Sequence, residues 1–296
     1  MGFAIDPRTR PGWVRLSVSD VERSIAFYRE VLGMVELRDS GEEVVMGAGS
    51  EPLVALREQR GARPKPPRST GLYHFAVLLP SRRELARAYL RISERWFLHG
   101  ASDHLVSEAL YLSDPDGHGI EVYADRPRSA WRRLPTGELG MDTLPLDLRS
   151  LLSELRDEDD VPGEGYRLPD GTVMGHVHLH VSRLERARAF YRGAIGMNVT
   201  FDWSRYGALF FAAGDYHHHV GANVWAGIDA PRPPPESVRL LSFSLLLPDE
   251  RSLEDLLAHL RSMNVGISED SELLAGRYGF VVKDQDGNDV ELVVRG

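Results

Sequence analysis

The chain repeats itself, and that repeat limits what it can fold into more than any other feature. "LSVSDVERSIAFYREVLGM" (Leu16 to Met34) aligns without a gap on "LHVSRLERARAFYRGAIGM" (Leu179 to Met197), with 11 of 19 residues matching. Two further pairs follow in the same order. "VLLPSRRELARAYLRI" (Val77 to Ile92) resembles "LLLPDERSLEDLLAHL" (Leu245 to Leu260), and "SDPDGHGIEV" (Ser113 to Val122) resembles "KDQDGNDVEL" (Lys283 to Leu292). Repeats on this scale mean one supersecondary unit used several times. Each unit reads as a strand with period-two alternation, an amphipathic helix, then several short strands. Ser19 and Ser182, with Glu22 and Glu185 three residues on, read as capping boxes, and Gly33 and Gly196 as helix stops.

The expected architecture is therefore α+β, with four βαβββ modules at 12–60, 71–125, 174–228 and 238–296. They pair by sequence into 1–125 and 174–296. Residues 126–173 form a polar linker holding one short helix and the acidic run "RDEDD".

Composition excludes several chemistries. There is no cysteine, so disulfides, thiolate catalysis and Cys-bound zinc or iron–sulfur clusters are ruled out, and any metal must sit on His, Asp or Glu. A net charge of −9 disfavours nucleic acid and anionic membranes as partners. The N-terminus lacks an apolar signal segment, and no apolar run approaches the roughly 18 residues of a membrane span. A cytoplasmic protein is expected.

"GHVHLHVS" alternates histidine with apolar residues, so His176, His178 and His180 share one strand face. In "YHHHVGANVW", read as strand, His217 and His219 share a face and His218 points the other way. The "DPDG" and "DQDG" segments read as turns, because the remaining ligands of a calcium loop are absent. His118 then reads as solvent-facing.

The pattern H-x-x-L-x-V-S-x-L-E-x-A-x-x-F-Y with D-P-D-G-x-x-I-E resembles the vicinal oxygen chelate superfamily of glyoxalases, bleomycin-resistance proteins and extradiol dioxygenases. "GLYHFAVLLP", "SEALYLSDPDGHGIEVYADRPRSAW" and "GDYHHHVGANVWAG" look closest to the bacillar-type, four-module catechol 2,3-dioxygenase branch. The resemblance implies two cupped, incomplete β-barrels with helices outside. Metal ligands are implied at the start of a module's first strand and late in its last strand.

At those positions stand Trp13, His74, His176 and Ser242, with Glu121 and Glu291 on the last strands of modules two and four. Only modules two and three together supply a full set: His74, Glu121 and His176. The competing set is His176, His219 and Glu291. Two imidazoles and a carboxylate suit Fe2+, with Mn2+ possible, and leave adjacent positions for a diol's oxygens and O2. The resemblance also implies a tyrosine ten residues before the metal glutamate, here Tyr111, and a cavity histidine, His219 or else His217. The implied function is extradiol cleavage of catechol or a related small aromatic diol, with a homodimer possible. The alternatives are a glyoxalase-type isomerase or lyase, and a metal-free small-molecule-binding protein.

Overall fold

The computed structural model describes residues 2–135, 137–156, 161–273 and 277–295. The acidic run lies largely outside them. In chain order the strands are β1 (Arg10–Val18), β2 (Val35–Asp39), β3 (Val44–Ala48), β4 (Glu51–Glu58), β5 (Gly71–Leu79), β6 (Gly100–Asp103), β7 (Ser107–Ser113), β8 (Gly119–Asp125) and β9 (Leu144–Pro145). They continue with β10 (Val173–His180), β11 (Asn198–Trp203), β12 (Ala208–Ala212), β13 (Val220–Asn223), β14 (Leu240–Leu247), β15 (Ile267–Leu273), β16 (Arg277–Lys283) and β17 (Asp289–Val294). The helices are α1 (Val21–Glu30), α2 (Arg82–Arg95), α3 (Leu148–Leu152), α4 (Leu184–Ala187) and α5 (Glu250–Ser262). All four modules are thus βαβββ in element order, and β9 and α3 belong to the linker. No helix among the described residues is long and apolar enough to cross a membrane.

The chain divides into two compact units. One holds Met1–Ser17, Ala62–Tyr73 and Gly175–Gly296, and the other holds Val18–Gly61 and His74–Met174. In the first, strands run β15-β16-β17-β14-β1 and β11-β12-β13-β10. Here the first strand of module one pairs with module four: β1 is antiparallel to β14, with Arg15 opposite Ser242. In the second unit the orders are β4-β3-β2 and β5-β8-β7-β6-β9.

Alternation explains why each module buries one face. Along β5, Phe75 and Val77 face away from His74 and are fully buried, as are Ile120 and Val122 of β8. These residues meet the apolar side of α2, where Leu85, Ala88 and Ile92 are buried. The opposite face carries His74 and Glu121 beside a buried cluster of Ala76, Ala109 and Tyr123.

The capping boxes are built otherwise than the sequence implies. Asp20, not Ser19, caps α1 by accepting from the Arg23 amide at 3.0 Å. Ser19 instead gives its amide and its hydroxyl to the Asp116 carboxylate, at 2.8 and 2.6 Å. The Ser182 amide likewise donates to Asp286 at 3.1 Å. The two Asp-Gly turns therefore anchor helix starts. They also anchor helix ends: Tyr28 donates to Asp114 at 3.0 Å and Tyr191 to Asp284 at 2.9 Å. Burial pushes the hydroxyls and the carboxyls of both pairs above their ordinary ranges. His118 is buried in its turn, not solvent-facing.

The repeat also begins earlier than its strongest match. Phe3, Ile5 and Thr9 stand where Tyr166, Leu168 and Thr172 stand in the second copy. In one unit the Ile5 amide donates to the Gly196 carbonyl at 3.1 Å; in the other the Leu168 amide donates to the Gly33 carbonyl at 2.8 Å. Each leader satisfies a carbonyl that a helix end would leave open. It also lays an aromatic ring on a left-handed glycine. A Cβ at Gly33 (φ +81) would stand 2.6 Å from the Tyr166 ring, and one at Gly196 (φ +83) 2.7 Å from Phe3.

Two outcomes follow. Gly33→Ala loses more stability than Gly41→Ala in chemical denaturation. Gly41 shares the φ of +81 but has nothing within 4 Å. The backbone conformation costs both about 1–2 kcal/mol, and overpacking against Tyr166 adds about 1–3 kcal/mol to Gly33→Ala alone. Separately, burial pushes the Lys65 ammonium down from 10.5 to about 8. Between those pH values the unfolded chain holds a proton that the folded chain has shed, so stability climbs as pH rises through that window. Lys65→Met removes the climb in denaturation midpoints measured from pH 7 to 11.

Candidate metal centre

β5 and β8 run parallel with His74 opposite Gly119 and Ala76 opposite Glu121. Paired residues in adjacent strands share a face, and the face repeats every second residue. His74 and Glu121 therefore project to the same side, one step apart. His74 Nε2 lies 3.1 Å from Glu121 Oε2, and both residues are more than nine-tenths buried. β7 adds Tyr111 directly opposite Glu121. Its ring centroid is 5.8 Å from that of His74, and its hydroxyl is 2.6 Å from His104 Nε2.

β10 presents His176, buried, with His178 and His180 further along the same face. Asn223 joins the outer two. Its side chain lies 2.7 Å from His180 Nδ1 and 3.0 Å from His178 Nε2, while its Oδ1 accepts from the Trp225 amide. That amide can only donate, which orients the Asn223 side chain.

The expected set meets. His74, Glu121 and His176 each offer one ligand atom, all within 4.8 Å of one another, and they form the one such group of three among the described residues. The neighbouring donors of an octahedral ion with bonds near 2.1 Å stand about 3 Å apart. The His74–Glu121 separation matches that spacing.

Glu291, the carboxylate of the competing set, is engaged elsewhere. It accepts from Trp13 Nε1 at 2.8 Å and from the Ser242 hydroxyl, and Arg15 lies 3.5 Å away. Ser242 stands opposite Asp289, two residues before Glu291, as His74 stands opposite Gly119. The same strand geometry is here filled by an indole and a hydroxyl.

The "HHH" segment differs from its expected alternation. Residues 213–219 are a turn leading into β13, not strand. The ring centroid of His218 is 4.0 Å from that of His176, against 6.0 Å for His217. The two neighbours meet Nδ1 to Nδ1 at 2.7 Å, so one of those nitrogens carries the proton between them. His219 turns aside: its Nδ1 accepts the Ala213 amide at 3.2 Å and its ring stacks on Tyr216.

Several known proteins are similar to this chain. The chain is 42% identical over 268 residues to Catechol-2,3-dioxygenase of Bacillus subtilis (strain 168), covering 90% of this chain and 92% of that protein. Its fold is similar to that of a putative dioxygenase from Bacillus subtilis subsp. subtilis str. 168, with a TM-score of 0.68, 11% identity, and 99% and 86% of the two chains covered. It is also similar to glyoxalase I from Zea mays, with a TM-score of 0.58, 20% identity, and 97% and 92% covered. The sequence pattern of one family spans residues 10–122 and again 173–292. On that double match, the chain belongs to the Glyoxalase/Bleomycin resistance protein/Dioxygenase superfamily.

Proposed function

We propose that the protein is an iron(II)-dependent extradiol dioxygenase that cleaves catechol or a related small aromatic diol with O2, the metal being held by His74, Glu121 and His176. The observation that carries this reading is the donor set itself. Two imidazoles and one carboxylate, all buried, come within 4.8 Å of one another and match a non-haem iron(II) triad. The likeness to a catechol-2,3-dioxygenase over nine-tenths of the chain supports that substrate class. Manganese(II) suits the same donors.

An iron(II) ion bound there would supply adjacent open positions where diol and O2 meet. The chain's own residues do the rest. Burial of His74, Glu121 and His176 keeps water from the ligands. Tyr111, opposite Glu121 in the ladder, would offer its phenol to a diol hydroxyl. The His217–His218 pair stands against His176 and shares one proton between its facing nitrogens, which suits it to take a proton from the substrate. His219, bonded to the Ala213 amide, holds the turn that presents the pair. The Trp13–Ser242–Glu291 arrangement is a second copy of the site in which hydrogen bonds replace a metal.

The protein loaded anaerobically with iron(II) and then given catechol and oxygen should produce the yellow ring-cleavage semialdehyde. His74→Ala, Glu121→Ala and His176→Ala should each lose iron and activity by more than about 100-fold, since even partners outside the ligand shell cost about 10–100-fold. Glu291→Gln should keep both. Retention of iron by all three triad variants would end the proposal. Loss of iron in Glu291→Gln would move the site to modules three and four.

A further inference from the structure

Two proline-rich loops, residues 62–70 and 229–238, lie side by side in the first unit. The Arg63 amide donates to the Glu236 carbonyl at 2.9 Å, the Val238 amide to the Arg63 carbonyl at 2.8 Å, and the Thr70 amide to the Pro231 carbonyl at 2.9 Å. The loops carry Arg63, Lys65, Arg68 and Arg232. Among the described residues none of these four forms an ion pair with a carboxylate. Acids close by in sequence are already engaged: Glu58 pairs with Arg60, and Asp229 with Arg183. A chain with a net charge of −9 thus keeps unpaired positive charge on one pair of loops, and such a field draws anions.

Beside the loops stands an aromatic wall. Tyr73 and Trp225 are half-exposed, and Ile228 is more so. Trp225 is pinned at both ends: its amide donates to Asn223 Oδ1 at 3.0 Å and its indole N–H to the Tyr206 carbonyl at 2.8 Å. The Tyr73 ring meets that indole edge-on at 5.5 Å. Both rings lie against His178, with centroids 5.3 and 5.7 Å away. His178 follows His176 by two residues on the same face of β10. At the outer end of the wall, a Cβ at Gly227 would stand 3.9 Å from Arg68 Nη2. Contiguous apolar surface held at the water boundary is a feature of ligand-binding grooves, and here it leads from an unpaired guanidinium to the strand of His176.

We propose that Tyr73, Trp225 and Arg68 form the outer half of the substrate site, and that the diol taken there bears a carboxylate on a side chain of at least two carbons. The diol end lies at His176, the chain runs along the aromatic wall, and Arg68 takes the carboxylate in charge-assisted hydrogen bonds. Two residues of strand already span about 7 Å, and the indole lies beyond them, so a carboxyl set directly on the ring falls short of Arg68. This inference rests on the ring-cleavage reading and its use of His176.

The test pairs each acid with its amide, which has nearly the same shape and no charge. The iron-loaded protein should turn over dihydrocaffeate with a kcat/KM about three- to tenfold above that of dihydrocaffeamide, and added sodium chloride should shrink the advantage. Protocatechuate should show no such advantage over its amide. Arg68→Gln should bring the dihydrocaffeate ratio to one, and Arg68→Lys should keep part of it. Trp225→Ala should weaken acid and amide alike, because the wall touches the chain and not the charge. A ratio near one in the parent, or a ratio unchanged in Arg68→Gln, overturns the proposal. So does a Trp225→Ala protein that loses nothing toward either compound, or one that sediments as a smaller species than the parent, which would make the wall a contact between copies.

A second readout needs no metal. Phenylpropionate should perturb the tryptophan fluorescence of the metal-free protein at lower concentration than phenylpropionamide does, and Arg68→Gln should erase the difference. Equal affinities in the parent overturn the proposal. If the parent cleaves no diol while this difference stands, the ring-cleavage reading falls and the carboxylate subsite at Arg68 is upheld.

Discussion

A carboxylate buried on a strand must be answered by something, and this chain answers it twice in different ways. Glu121 and Glu291 hold matching places on β8 and β17, each on a strand running parallel to the first strand of its module. Leaving such a charge without partners costs several kcal/mol. Around Glu291 an indole N–H, a hydroxyl and a guanidinium supply the answer. Around Glu121 the near neighbour is an imidazole at 3.1 Å. That difference in neighbours is why the metal is proposed beside Glu121 and not beside Glu291. Two residues, Trp13 and Ser242 in place of histidines, separate the two outcomes.

The parallel register is what makes either outcome possible. With His74 opposite Gly119, a shift of one residue would send Glu121 to the helix-packed face among Phe75, Val77 and Val122. The apolar alternation on that face therefore fixes which side His74 and Glu121 take. Helix anchoring serves the same end. The Asp114 and Asp284 turns tie the start of the last strand in a module to Tyr28 and Tyr191 of a helix, so the strand that carries the glutamate cannot slide.

Much of this was legible in the residues. The repeat gave four modules, alternation put His176, His178 and His180 on one face, and the positions of His74 and Glu121 singled out one complete donor set. The three-histidine segment was not legible. "YHHH" alternates on paper, but Gly214 at φ 64 turns the chain and the strand begins only at Val220. The roles of Ser19, Asp116 and His118 were also hidden, since each depends on a partner far along the chain. The leaders at Phe3–Ile5 and Tyr166–Leu168 did carry a signal, an aromatic, an aliphatic and a threonine at matched spacing, too sparse to stand out beside the main repeat.

The sequence by itself determined the module count, the absence of thiol chemistry and the identities of the proposed donors, because periodicity and residue type are local properties. Tertiary structure decided that Glu291 meets an indole and a hydroxyl while Glu121 meets an imidazole, which histidine of three lies against His176, and that a linker carbonyl lies beside His104. Those are facts of distance between residues remote in the chain, and composition and spacing carry no information about distance until strands have paired.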